Sequence, residues 1–236
     1  MKTQRALVEA LLLFLAFFLP GFIAQASVRP DGALSTFALV QSIAVGVPQF
    51  LLMAFIAGAT GPSSSPTWGF SRLRGADALR ILLLVVICFA AVAPFFLAVS
   101  ALPSSWSRSL SRGYRWGLQS AGQLPLALAF SLTAGYREEF FFRAYLLRRL
   151  DDAAVPPGAA VALSTGLFCI GHIYEGPLGV AIAAALGIVF AVAYLRRGNL
   201  HVIAIAHGLY NTAVLCLSLL APRALPGAAV FRILWS

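Results

Sequence analysis

The chain has 236 residues, of which 60% are hydrophobic and 11% charged, and its mean hydropathy is +0.88. Soluble domains carry roughly a quarter charged residues, and a water-soluble fold could not hide this much apolar surface, so that class is excluded. The formal charge of +9 does not signal nucleic acid either, because the 17 basic residues are scattered through short loops between apolar runs instead of covering one soluble face. They read as topology determinants and phospholipid contacts.

In chain order the apolar runs cover residues 6–24, 33–59, 81–101, 118–147, 159–174, 178–195 and 200–220. A membrane crossing takes roughly 20 predominantly apolar residues, so these runs predict about seven spans. An eighth piece, 224–235, is too short to cross. The breaks are turn-forming: Gly61-Pro62-Ser63-Ser64-Ser65-Pro66, Pro103-Ser104-Ser105, Pro156-Pro157-Gly158 and Arg196-Arg197-Gly198-Asn199. The expected fold is all-α, a polytopic integral membrane helical bundle of about seven to eight helices. It forms a single membrane-embedded domain over residues 1–236, with its polar motifs in a core of about 118–220. Cys88, Cys169 and Cys216 all lie in apolar stretches without metal-ligand spacing and read as small core hydrophobes.

Lys2, Arg5, Arg72, Arg74, Arg80, Arg148, Arg149, Arg196 and Arg197 fall on one side of the predicted topology, nine in all. Arg29, Arg108, Arg112, Arg115 and Arg223 fall on the other, five in all. The positive-inside rule therefore places the N-terminus in the cytoplasm. Residues 106–116, with three Arg and two Trp, also suit an interfacial helix. The first run has a second reading as a signal peptide, with Ala24-Gln25-Ala26 as its cleavage site. Glu9 and the long apolar stretch before Pro20 suit a retained first span.

A charge within a span costs some kcal/mol and is normally kept for a function, and the fourth run carries four, in Tyr136-Arg137-Glu138-Glu139-Phe140-Phe141-Phe142-Arg143. Glu139 and Arg143 are i and i+4 with the acid N-terminal, the favourable order for an ion pair. Glu138 lies about 100° further round the helix without such a partner, which suits a desolvated carboxyl acting as general base. The alternative is a helix end whose charges snorkel to water. The fifth run supplies Phe168-Cys169-Ile170-Gly171-His172 and the seventh His207-Gly208-Leu209-Tyr210-Asn211. Either histidine alone could be a hydrogen-bonded tie between helices. His207 and Asn211 share a face and can offer two donors to one point. His201, beside the Arg196-Arg197 loop, reads as interfacial. A carboxylate, two imidazoles and an amide make a complete set for hydrolysing a peptide bond: a base, a group to orient water, and donors for an oxyanion.

These three motifs resemble those of the CPBP family of intramembrane proteases, the CAAX-prenyl proteases and the bacteriocin-processing and self-immunity proteins. E-E-x-x-x-R is matched by Glu138-Glu139 with Arg143, F-x-x-x-H by Phe168 with His172, and H-x-x-x-N/D by His207 with Asn211. The resemblance implies that Glu138 and His172 activate water, that His207 and Asn211 form the oxyanion site, and that Glu139 and Arg143 support them. It also implies a membrane-associated peptide or protein substrate and residence in a bacterial cytoplasmic membrane, and no cofactor is expected. Zinc held by Glu138, His172 and His207 is the alternative, although no H-E-x-x-H is present. A non-proteolytic scaffold or regulator, and a transporter using the same charges as a relay, are further alternatives. Paired broken helices in two halves, a transporter feature, are not seen.

Overall fold

The computed structural model describes residues 2–19, 33–60, 68–110 and 117–224. The Ala24-Gln25-Ala26 triplet, the whole Gly61–Pro66 break, Arg112 and Arg115 of the interfacial stretch, and nearly all of the eighth apolar piece lie outside these residues.

The architecture is all-α, as expected. Helix α1 (Lys2–Phe17) is followed by α2 (Thr36–Thr60), α3 (Gly75–Ser100), the short α4 (Ser104–Leu110) and α5 (Leu124–Glu139). A π-helical segment, Phe140–Leu146, runs on into α6 (Leu147–Asp152), and α7 (Pro157–Ile170), α8 (Gly176–Arg197) and α9 (Leu200–Ala224) complete the bundle. Two residues, Ala33–Leu34, pair in parallel with Gly117–Leu118. Among the described residues four stretches are long and apolar enough to cross a membrane: Thr36–Ala59, Gly75–Ser100, Ile173–Arg197 and Leu200–Leu219. The protein is an integral membrane protein. Its apolar exterior, with Phe37, Phe55, Leu79, Leu82 and Leu97 exposed, is what lipid requires and water would not tolerate.

The element carrying Glu138 and Glu139 sits at the centre. Helix α5 crosses α9 so closely that a Cβ at Gly135 would lie 2.5 Å from the Ala204 carbonyl oxygen, and one at Gly208 would lie 3.0 Å from Leu132 Cα. Small residues that let backbones approach are the usual means of packing helices in lipid, where hydrophobicity gives no drive to associate. Gly46 of α2 meets Thr133 of α5 in the same way, with 2.7 Å from its would-be Cβ to the methyl. All seven residues of the π-helical segment are buried, Phe141 and Phe142 packing against Phe14 and Phe18 from the N-terminal helix. Glu9 of α1 accepts hydrogen bonds from Tyr145 at 2.5 Å and from Arg149 at 3.2 Å, tying α1 to the far end of the central helix.

The fifth apolar run departs from expectation. The sequence suggests one span over 159–174, whereas α7 stops at Ile170 after 14 residues. At 1.5 Å per residue it rises about 21 Å, short of the roughly 30 Å hydrocarbon core. His172 has non-helical dihedrals (φ −114°, ψ 9°), residues Ile173–Glu175 form a 3₁₀ turn, and Gly176 takes φ +77° to open α8. That left-handed value favours glycine. The α7–α8 turn brings His172 and Tyr174 close to Glu138 of α5.

Candidate functional site

Glu138 and Glu139 end α5 at the point where it tightens against α9, and the Gly135 and Gly208 contacts bring His207 beside both carboxylates. His207 Nδ1 bonds Glu139 Oε1 at 2.7 Å, and its Nε2 lies 3.9 Å from Glu138 Oε2. The first distance is a short, charge-assisted hydrogen bond. The second is too long for one. Phe190 of α8 stacks on the imidazole, with ring centroids 4.9 Å apart and planes 14° from parallel.

Behind the pair, Arg143 Nε lies 3.2 Å from Glu139 Oε2, with both side chains 0% exposed, so the expected i, i+4 ion pair is formed. Arg143 Nη2 donates to the Gly187 carbonyl at 3.3 Å, and its Cζ lies 4.6 Å from the Phe168 ring centroid. A buried guanidinium needs both a counter-ion and hydrogen-bond acceptors, and aromatic faces supply further attraction. The π-helical turn that carries Arg143 has its Phe142 carbonyl capped by the Ser164 hydroxyl at 2.8 Å. Departures of this kind from the α-helix recur at functional sites.

Phe168 has a second contact of consequence. His172 Nδ1 bonds the Phe168 carbonyl oxygen at 2.8 Å, and the two rings lie 4.4 Å apart. A carbonyl can only accept, so Nδ1 carries the hydrogen and donates it, which leaves Nε2 outside this bond. Glu138 lies within the electrostatic reach of Arg137, His207 and His172. The structure thus brings together Glu138, Glu139, Arg143, His172 and His207. Asn211 sits one turn beyond His207 on α9, half-buried. Among the described residues its amide makes no hydrogen bond with the others.

Arg137, Tyr174, Glu175 and Phe190 are parts of this neighbourhood that sequence reading overlooked. The expectation that Glu138 has no partner in its own segment needs correcting, since Arg137 Nη2 donates to Glu138 Oε1 at 3.1 Å. Consecutive helical residues do not normally face one another, so no spacing rule predicts this contact. Tyr174 donates to Glu175 Oε1 at 3.0 Å, and its ring lies 6.4 Å from that of His172. His201 lies elsewhere, bonded to the Tyr136 hydroxyl at 2.9 Å.

Glu138, His172 and His207 are also the alternative zinc set. Among the described residues no three His, Cys, Asp or Glu side chains are grouped to hold a metal ion. His207 Nδ1 is engaged by Glu139, which leaves Nε2 as the nitrogen a metal would use.

Residues 120–213 match the family model described as type II CAAX prenyl endopeptidase Rce1-like. That segment contains all the motif residues named above. No curated protein and no solved structure matches the chain.

Proposed function

We propose, on the match of residues 120–213 to the type II CAAX prenyl endopeptidase Rce1-like family model, that the chain is an intramembrane peptidase acting on membrane-associated protein, in which Glu138 and His172 activate the hydrolytic water. The observation that carries this reading is the position of Glu138. Its side chain is 13% exposed, one carboxylate oxygen is held by Arg137, and the other lies 3.9 Å from His207 Nε2.

In the proposed mechanism Glu138 Oε2 takes a proton from a water held by the free Nε2 of His172. The water oxygen attacks the scissile carbonyl. His207, held at Nδ1 by Glu139, donates Nε2–H to the developing oxyanion, and the Asn211 amide donates from one turn further along the same face. Protonated Glu138 then passes its proton to the leaving amine as the tetrahedral intermediate collapses, so the base is regenerated. No metal is required in this scheme. Glu139 and Arg143 take no part in proton transfer; they hold His207 in place, as a buried carboxylate holds a catalytic imidazole. We place the chain in a bacterial cytoplasmic membrane with its N-terminus inside.

The reading is tested by comparing membrane proteins of cells with and without the protein. A membrane-associated protein that accumulates uncleaved in its absence, and is cut at a new peptide bond when purified wild-type protein is added in detergent, is the expected result. Restored processing by a His172→Ala, Glu138→Gln double variant would leave only a scaffold role.

A further inference from the structure

Arg137 belongs to none of the three motifs and takes no part in the chemistry above, yet three groups fix its guanidinium. Nη1 donates to Gln49 Oε1 on α2 at 3.3 Å, Nη2 donates to Glu138 Oε1 at 3.1 Å, and Cζ lies 5.4 Å from the Phe18 ring centroid. Adjacent side chains on a helix point about 100° apart, so the Arg137 side chain must wrap round the helix to meet Glu138, and Gln49 and Phe18 keep it there.

Other groups also face Glu138. His207 comes from α9 and His172 from the end of α7. Tyr174 and Glu175, from the 3₁₀ turn, complete the surroundings. Arg143 stands behind, already engaged with Glu139. Among these, Arg137 brings to Glu138 a permanent positive charge in direct contact. A carboxylate in low dielectric without such a partner takes up a proton and ceases to be a base. The contact is also directional. By occupying Oε1 it leaves Oε2 on the side of His207, where a water can reach it.

We infer that Arg137, braced by Gln49, is a positioning residue that keeps Glu138 ionised and turns Oε2 toward the reacting water. The inference deepens the proposed function and rests on it for the role of Glu138, but its test needs no substrate. Dicyclohexylcarbodiimide, a membrane-soluble reagent, adds to a carboxylic acid and spares a carboxylate. Membranes carrying wild type, R137Q, R137K, Q49L or, as a blank, E138Q are treated with it, and the Glu138 adduct is measured by mass spectrometry of the peptide.

Removing the neighbouring charge should raise Glu138 labelling about 10-fold in R137Q, and R137K, which keeps the charge, should stay close to wild type. Q49L should fall between them. Equal Glu138 labelling in wild type and R137Q overturns the inference. Should R137Q fail to accumulate in the membrane, Q49L decides, because it leaves every charge in place and removes only the brace: a rise supports the role and no rise overturns it. With a cleavable substrate in hand, R137Q should lower kcat and leave KM unchanged, whereas R137K should rescue kcat. If the wild-type protein cleaves nothing, the protease reading fails, and the labelling ratio still judges Arg137.

Discussion

At Glu139 the carboxylate is 0% exposed, bonded to His207 Nδ1 at 2.7 Å and 3.2 Å from Arg143 Nε. One residue earlier, Glu138 is 13% exposed, holds Arg137 with one oxygen, and stops 3.9 Å short of His207 Nε2 with the other. The same side chain at consecutive positions thus meets a network closed to solvent in one case and one open at its edge in the other. A network buried throughout holds its members in place, because a charge that moves there loses its counter-ion in low dielectric. One open at its edge leaves room for water and substrate. The difference comes from the helix: a rotation of about 100° turns Glu139 into the contact with α8 and α9 and leaves Glu138 at its edge, facing the α7–α8 turn.

This contrast can be broken from either side. On the closed side, Arg143→Gln strands Glu139 in the interior, and breaking a buried pair in this way costs about 3–5 kcal/mol. Thermal unfolding in detergent should show the loss, along with reduced cleavage; normal stability would mean that the pair contributes nothing. On the open side, Asn211→Ala removes a proposed oxyanion donor without touching the network. It should lower kcat about 100- to 1,000-fold, as loss of one such donor does, with KM and stability little changed.

A smaller effect is expected where the two helices cross. Gly208→Ala puts a methyl 2.8 Å from Leu132 Cδ2 and 3.0 Å from Leu132 Cα, and overpacking of this kind costs about 1–3 kcal/mol. Part of that should appear as lost activity, since the same crossing sets the distance from Glu138 to His207. Unchanged unfolding and unchanged rate would show that the crossing relaxes freely. The smallest effect expected is none at all: with no metal in the scheme, EDTA or phenanthroline should leave the rate untouched. Activity lost on chelation and restored by zinc would replace the glutamate scheme with the zinc one and keep the protease assignment.

Much of this was legible in the sequence, for identifiable reasons. Apolar runs near 20 residues fixed the class and located most of the helices, because lipid leaves the backbone few alternatives. The Glu139–Arg143 pair followed from i, i+4 spacing alone. Contacts set by tertiary packing were not legible. The Glu139–His207 bond depends on Gly135 and Gly208 letting two helices meet, and glycines inside apolar runs carry no signature of what they touch. The stop at Ile170 was hidden as well, since Gly171-His172-Ile173-Tyr174 continues the apolar run without a proline. Arg137 was overlooked because neighbouring helical residues rarely pair.

The central claim is that Glu138 carries the chemistry and Glu139 the architecture. It is tested most directly by purifying Glu138→Gln and Glu139→Gln side by side and measuring cleavage of the accumulated membrane substrate against thermal unfolding of each protein. The account predicts that Glu138→Gln unfolds like wild type and cleaves nothing, while Glu139→Gln unfolds at a clearly lower temperature and retains a trace of cleavage. Full activity in Glu138→Gln, or wild-type stability in Glu139→Gln, would contradict it.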